Sequence, residues 1–204
     1  MQAMHRLAAV VLALVAVAVA AAGPAAAQAT GTMATTPIFD TAGPGGPFGF
    51  NGFDVFRDQG VAERFTVPAD GDFRLARIGI WFMNNSDTQM RKLRLSLQTD
   101  ALDEGGAATM PSGRELEHWM STAQTLGWQP VQQFHDSAKA PRLRAGRNYW
   151  VVAQARAPGG LDPVWLFAKK GTAVVTTSAG GLWWPAAEGG AITLRVDALP
   201  LKPH

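Results

Sequence analysis

The chain has 204 residues, no cysteine, and 18 Lys and Arg against 16 Asp and Glu, a formal net charge of +2. The length suits one domain with a sizeable core. The missing cysteine excludes disulfides, thiolate catalysis and Cys-ligated metals, and so balanced a charge gives no basis for nucleic-acid binding.

The first 27 residues read as a segment apart from the rest. Arg6 precedes an unbroken run of Leu, Ala and Val over residues 7–22, which Gly23-Pro24 ends. Ala25-Ala26-Ala27 then supplies small residues at −3 and −1 before Gln28. Charged start, apolar middle and A-x-A end make a secretory signal peptide, cleaved before Gln28. The apolar run is short for a membrane span of about 20 residues. The sequence therefore predicts a secreted or periplasmic protein with no membrane span after cleavage.

Residues 28–36 are small and polar, a flexible arm ahead of a folded domain over 37–204. Phe48, Phe50 and Phe53 interleave with glycines near the start of that domain, which predicts an ordered rim loop rather than a spacer. Turn clusters then separate short strands. Residues 61–67 form the first. Residues 73–83 form a longer one, in which Leu75 falls out of phase with Ile78, Ile80 and Phe82, so a bulge is expected near Arg77. Asn84-Asn85-Ser86-Asp87 ends it. Residues 91–99 alternate most cleanly: Leu93, Leu95 and Leu97 point to the core, while Lys92, Arg94, Ser96 and Gln98 point away. Lys92, Arg94 and Gln98 are expected in solvent. Further strands fall at 116–120, 129–135, 148–155, 164–169, 173–177 and 191–198. About nine short strands without βαβ crossovers predict an all-β fold, a single antiparallel β-sandwich of jelly-roll-like form.

Several of these pieces together resemble the secreted bacterial domains called choice-of-anchor R. They are Arg64-Phe65-Thr66-Val67, the Leu75-x-x-Ile78-x-Ile80 strand, and the L-x-L-S-L-x-T-D run from Leu93 to Asp100. Pro111-Ser112-Gly113, the L-x-A-G-x-x-Y-W-V-V run from Leu143 to Val152, and Leu194-Arg195-Val196-Asp197 complete the set. The resemblance spans roughly residues 37–199. It implies an exported β-sandwich and carries no catalytic residues to transfer. The chain departs from that family's pattern by ending Leu-Lys-Pro-His, without a sorting motif or apolar tail, so release rather than C-terminal attachment is expected.

Catalytic motifs are sparse. His118, His135 and His204 show no metal-ligand spacing, although the first two could meet across a hairpin. No G-x-S-x-G elbow occurs. Paired carboxylates would suffice for glycoside hydrolysis, and Asp54, Asp58, Glu63, Glu115, Glu117, Asp162 and Asp197 are the candidates. Alternation against Ile192, Leu194 and Val196 puts Asp197 on an exposed face, and solvated acids are the ordinary case. No cofactor is expected apart from calcium, for which Asp100, Asp103 and Glu104 in one loop are the candidate ligands. Basic pairs such as Arg91-Lys92 and Lys169-Lys170 read as strand-edge protection.

Aromatics stand out, with seven Trp and ten Phe but one Tyr. Trp81 and Trp150 lie in apolar strands and belong to the core. Trp183 and Trp184 are adjacent, so they point to opposite faces. With Trp165, they are the candidate sugar-stacking residues, since an exposed indole offers flat apolar area and an N–H donor. The function expected is non-catalytic binding of a glycan or another envelope component. The alternatives are a carboxylate hydrolase acting on polysaccharide and a structural matrix component.

Overall fold

The computed structural model describes residues 34–86, 88, 91–106, 108–122, 127–156, 162–171, 173–177 (backbone only), 181–186 and 190–202. The expected signal peptide, most of the expected arm and Asp87 lie outside them. The described residues hold strands and two single 3-10 turns, Gly43–Gly45 and Leu102–Glu104, with no α-helix. No helix among them is long and apolar enough to cross a membrane.

In chain order the strands are β1 (Thr36–Asp40), β2 (Gly52–Asp54), β3 (Gln59–Thr66), β4 (Phe73–Asn84), β5 (Lys92–Asp100), β6 (Pro111–Thr122) and β7 (Val131–Asp136). There follow β8 (Arg142–Leu143), β9 (Asn148–Ala155), β10 (Pro163–Ala168), β11 (Ala173–Thr177), β12 (Trp183–Pro185), β13 (Ala191–Ile192) and β14 (Leu194–Pro200). An eight-stranded sheet runs β1-β14-β4-β10-β13, with β2 beside β10 and with β7 and β8 beside β4. A six-stranded sheet runs β12-β11-β3-β9-β5-β6. All ladders are antiparallel. The nine expected strands are all present. The additional ones are two to five residues long, too short to show a period of two, and β13 is split from β14 at Thr193.

The main core lies between the sheets. The eight-stranded sheet contributes Leu75, Ile78, Ile80, Phe82, Trp165, Leu194 and Val196; the six-stranded sheet contributes Val61, Phe65, Leu93, Leu95, Leu97, Tyr149 and Val151. The three leucines of β5 are fully buried, as their alternation requires. The expected bulge is also present. β14 advances from Asp197 to Ala198 while β4 moves from Arg77 to Leu75. Ala76 is the extra residue, and the half-turn it adds lets Leu75 and Ile78 reach the same layer although three apart.

Side chains tie the sheets at the edge where β6 meets β7. Ser121 Oγ donates to Gln133 Oε1 at 2.6 Å, and Trp119 Nε1 to the Asp136 carbonyl at 2.9 Å. The rim loop is ordered: Phe48 N–H donates to the Phe167 carbonyl, and Phe167 N–H to that of Asn51. Gly52 is required there, since a Cβ would fall inside contact distance of the Trp165 carbonyl.

Candidate functional site

The face of the six-stranded sheet turned away from the core is divided in two. One half is covered. There Ala62, Trp150 and Val152 form a small buried cluster against which Met110 and Trp183 pack. The loop between β5 and β6 closes over it: Gln98 accepts from Gly113 N–H at 2.9 Å and donates to Ser96 Oγ at 3.0 Å. Trp150 Nε1 donates to Asp100 Oδ2 at 2.8 Å, and the Arg64 guanidinium lies 5.9 Å from the Trp150 ring centre. Ser96 and Gln98 are therefore buried. This corrects the expectation of a wholly solvated outer face: the outer phase of β5 is covered at its C-terminal end by its own following loop. Trp150 is buried as expected, but in this outer layer. Trp81 is only partly buried, beside the Met83, Val164 and Leu166 cluster rather than in the main core.

The other half is open. Arg94 pairs in register with Gln154 on one side and Met120 on the other. Lys92 precedes Arg94 by two residues and so shares its face. With Gly60, Phe56, Arg57 and Arg156, they line a groove of about 850 Å³. The cleft at Asp70 and Asp72 measures about 480 Å³. Trp183 is two strands beyond Gly60 in the same row, with Thr176 of β11 between them.

One groove cation is held by an acid. Arg94 donates twice to Glu115, at 2.6 Å each, and His118 Nδ1 lies 3.6 Å from the same carboxylate. Hydrogen bonding to Arg94 holds the Glu115 carboxyl below its ordinary range and raises the guanidinium. Arg57, Lys92 and Arg156 have no carboxylate within ion-pair distance among the described residues.

The three candidate tryptophans do not converge. Trp165 is 0% exposed in the main core, its Nε1 donating to the Thr193 carbonyl at 2.6 Å. A ring with no free face cannot stack on a ligand, so Trp165 leaves the set. Its neighbours Val164 and Leu166 fill the outer cluster instead, which is why alternation alone misplaced it. Trp184 is 57% exposed, on the opposite face of β12 from Trp183. Trp183 alone stands on the groove's face, partly buried against Ala62 and Val152.

The calcium candidates are engaged separately. Asp100 is buried and accepts from Trp150 and from Leu102 N–H; Asp103 pairs with Arg147, and Glu104 with Arg114. Among the described residues no group of three or more His, Asp or Glu is placed to hold a metal ion. His118 lies on the outer face of β6, whereas His135 of β7 packs beside Trp119, so the two histidines do not form a pair. Several candidate acids expected in solvent are buried: Glu63, Glu117, Asp162 and Asp197. Glu117 accepts from Ser137 Oγ and from the amides of Ala138 and Lys139, pinning the turn after β7. Asp197 is flanked by Arg77 and Arg195. None of these acids lines the groove.

Sequence reasoning missed the groove cations. It took Arg91-Lys92 for edge protection, yet β5 lies between β9 and β6. The available signal was phase: Lys92 and Arg94 alternate on one strand, and Arg156 continues the phase of Gln154 just past the end of another. Only the register between β5 and β9 brings them together. No family model matches the chain, and no curated protein does.

Proposed function

We propose that the protein is an exported, non-catalytic β-sandwich that binds a glycan along the open half of its six-stranded sheet. The observation that carries this reading is the 850 Å³ groove, lined by polar and cationic groups of adjacent strands together with Phe56 and Met120. A groove along pleated strands suits an extended chain of sugar rings, with apolar area at Phe56 and Met120 and hydrogen-bonding groups at Gln154 and Arg94. The signal-like residues 1–27 and the resemblance to choice-of-anchor R domains support export.

Binding is favoured over polysaccharide hydrolysis. Hydrolysis calls for two carboxyl groups about 5–10 Å apart on a shared cleft, one kept protonated. The groove lining contains no carboxylate, and Asp103 and Glu104, in a separate cleft at the far end of β5 and β9, are each paired with an arginine.

The test is a glycan-array screen of the exported protein, followed by tryptophan-fluorescence titration with each glycan retained. Gln154→Ala removes an exposed side chain from the groove floor, so it should weaken binding several-fold at an unchanged denaturation midpoint. An array that retains nothing, or binding indifferent to Gln154→Ala, would refute the assignment.

A further inference from the structure

Resting on that reading, we infer that the groove takes an acidic polysaccharide, recognised through the carboxylates or sulfate esters of its repeating units. The chain as a whole is nearly balanced in charge, yet the groove lining holds four cationic side chains and no acidic one. Glu115, on the neighbouring strand, pairs with Arg94 and with none of the other three. Arg57, Lys92 and Arg156 are exposed and without an acidic partner among the described residues.

Three of the four cations, Lys92, Arg94 and Arg156, sit side by side on the sheet, with Arg156 across the β5–β9 ladder from Lys92. Lys92 and Arg94 are about 7 Å apart along β5, and β9, which carries Gln154 and ends one residue before Arg156, lies about 5 Å to the side. Anionic groups borne on successive units of an extended chain can face several of these cations at once. A cleft lined by one sign of charge also concentrates the opposite sign above it. Arg94, fixed at both ends of its guanidinium by Glu115, acts as a positioned wall, while the three unpaired cations supply the field. Nucleic acid is the poorer fit. Single strands are held by successive aromatic platforms within a basic channel, and the lining here holds a single aromatic ring, Phe56.

The experiment is isothermal titration of the exported protein with oligogalacturonate, chondroitin sulfate oligosaccharide, cello-oligosaccharide and single-stranded DNA, over a series of salt concentrations. The expected result is binding of the carboxylated or the sulfated sugar, weakened about tenfold or more on going to high salt. Whichever of the two binds more tightly identifies the anionic group. Lys92→Ala with Arg156→Ala should reduce that affinity at least about tenfold, while Lys92→Arg retains it. Neither residue has an ion pair to lose, and the denaturation midpoint of the double variant serves as the check on folding. If cello-oligosaccharide binds equally well and salt has no effect, the glycan face stands and its preference for acidic chains falls. If no sugar binds, both fall. DNA binding as tight as that of the sugars would overturn the choice of partner.

Discussion

Arg77 Nε donates to Asp197 Oδ2 at 2.6 Å across the β4–β14 ladder, at the residue pair where the register slips. The bulge at Ala76 and this ion pair belong together. The extra residue keeps Leu75 and Ile78 in one core layer, and Arg77, just beyond it, stands opposite a carboxylate only 1% exposed. Arg195 Nε, two residues back on β14, donates to the other oxygen at 2.9 Å. Arg77 also lies 4.5 Å from the centre of the Phe134 ring.

Replacing Asp197 with Ala leaves two guanidiniums facing each other without their shared acceptor. Both are about one-third exposed and stay hydrated, so the full cost of an orphaned buried charge does not apply. A loss of about 1–3 kcal/mol is expected, in line with hydrogen bonds to charged groups. Urea denaturation of the variant measures it, and an unchanged midpoint would contradict the role given to the pair.

The tryptophans should separate by burial. Trp165→Ala removes a fully buried ring and orphans the Thr193 carbonyl, and should cost about 3–5 kcal/mol. Trp184→Ala, on a mostly exposed ring, should stay within about 0.5 kcal/mol. Equilibrium unfolding of both variants checks the contrast, which equal losses would erase.

His135 makes stability depend on pH near neutrality. Burial beside Trp119 holds its folded-state value below the ordinary 6.5, with Asp136 acting in the opposite direction, and its Nε2 is buried with no hydrogen-bond partner. Below pH 6.5 the unfolded chain takes up a proton that the fold still resists. Stability therefore falls as pH drops below that value, and rises as pH climbs back toward it. Asp72 and Glu115 add a second loss in stronger acid. Their folded values are depressed, by the Ala145 amide with Arg142 and by Arg94 respectively, so their contribution disappears as those carboxylates protonate. Urea midpoints measured between about pH 5 and 8 should slope upward, and His135→Gln should flatten that slope.

What the sequence revealed follows from which interactions are local. The phase of Leu93, Leu95 and Leu97, and the break in phase between Leu75 and Ile78, are properties of single strands and were legible. The burial of Gln98 and Asp197 was not. Gln98 is covered by a loop that folds back from Gly113, and Asp197 is neutralised by Arg77, 120 residues earlier in the chain. Trp165 looked free because its neighbours Val164 and Leu166 are apolar, and a sheet with apolar residues on both faces has no readable alternation. The groove was the least legible feature. Lys92, Gln154 and Gly60 come from three strands, and only the ladders between them place their side chains along one surface.

The most direct test of the binding face is amide chemical-shift mapping of the isotope-labelled exported protein during titration with a glycan it retains. The account predicts that the largest changes fall at Gly60, Lys92, Arg94, Gln154 and Arg156 and at the Trp183 indole. Shifts confined instead to the eight-stranded sheet, or to the Asp70–Asp72 cleft, with the groove amides unmoved, would contradict it.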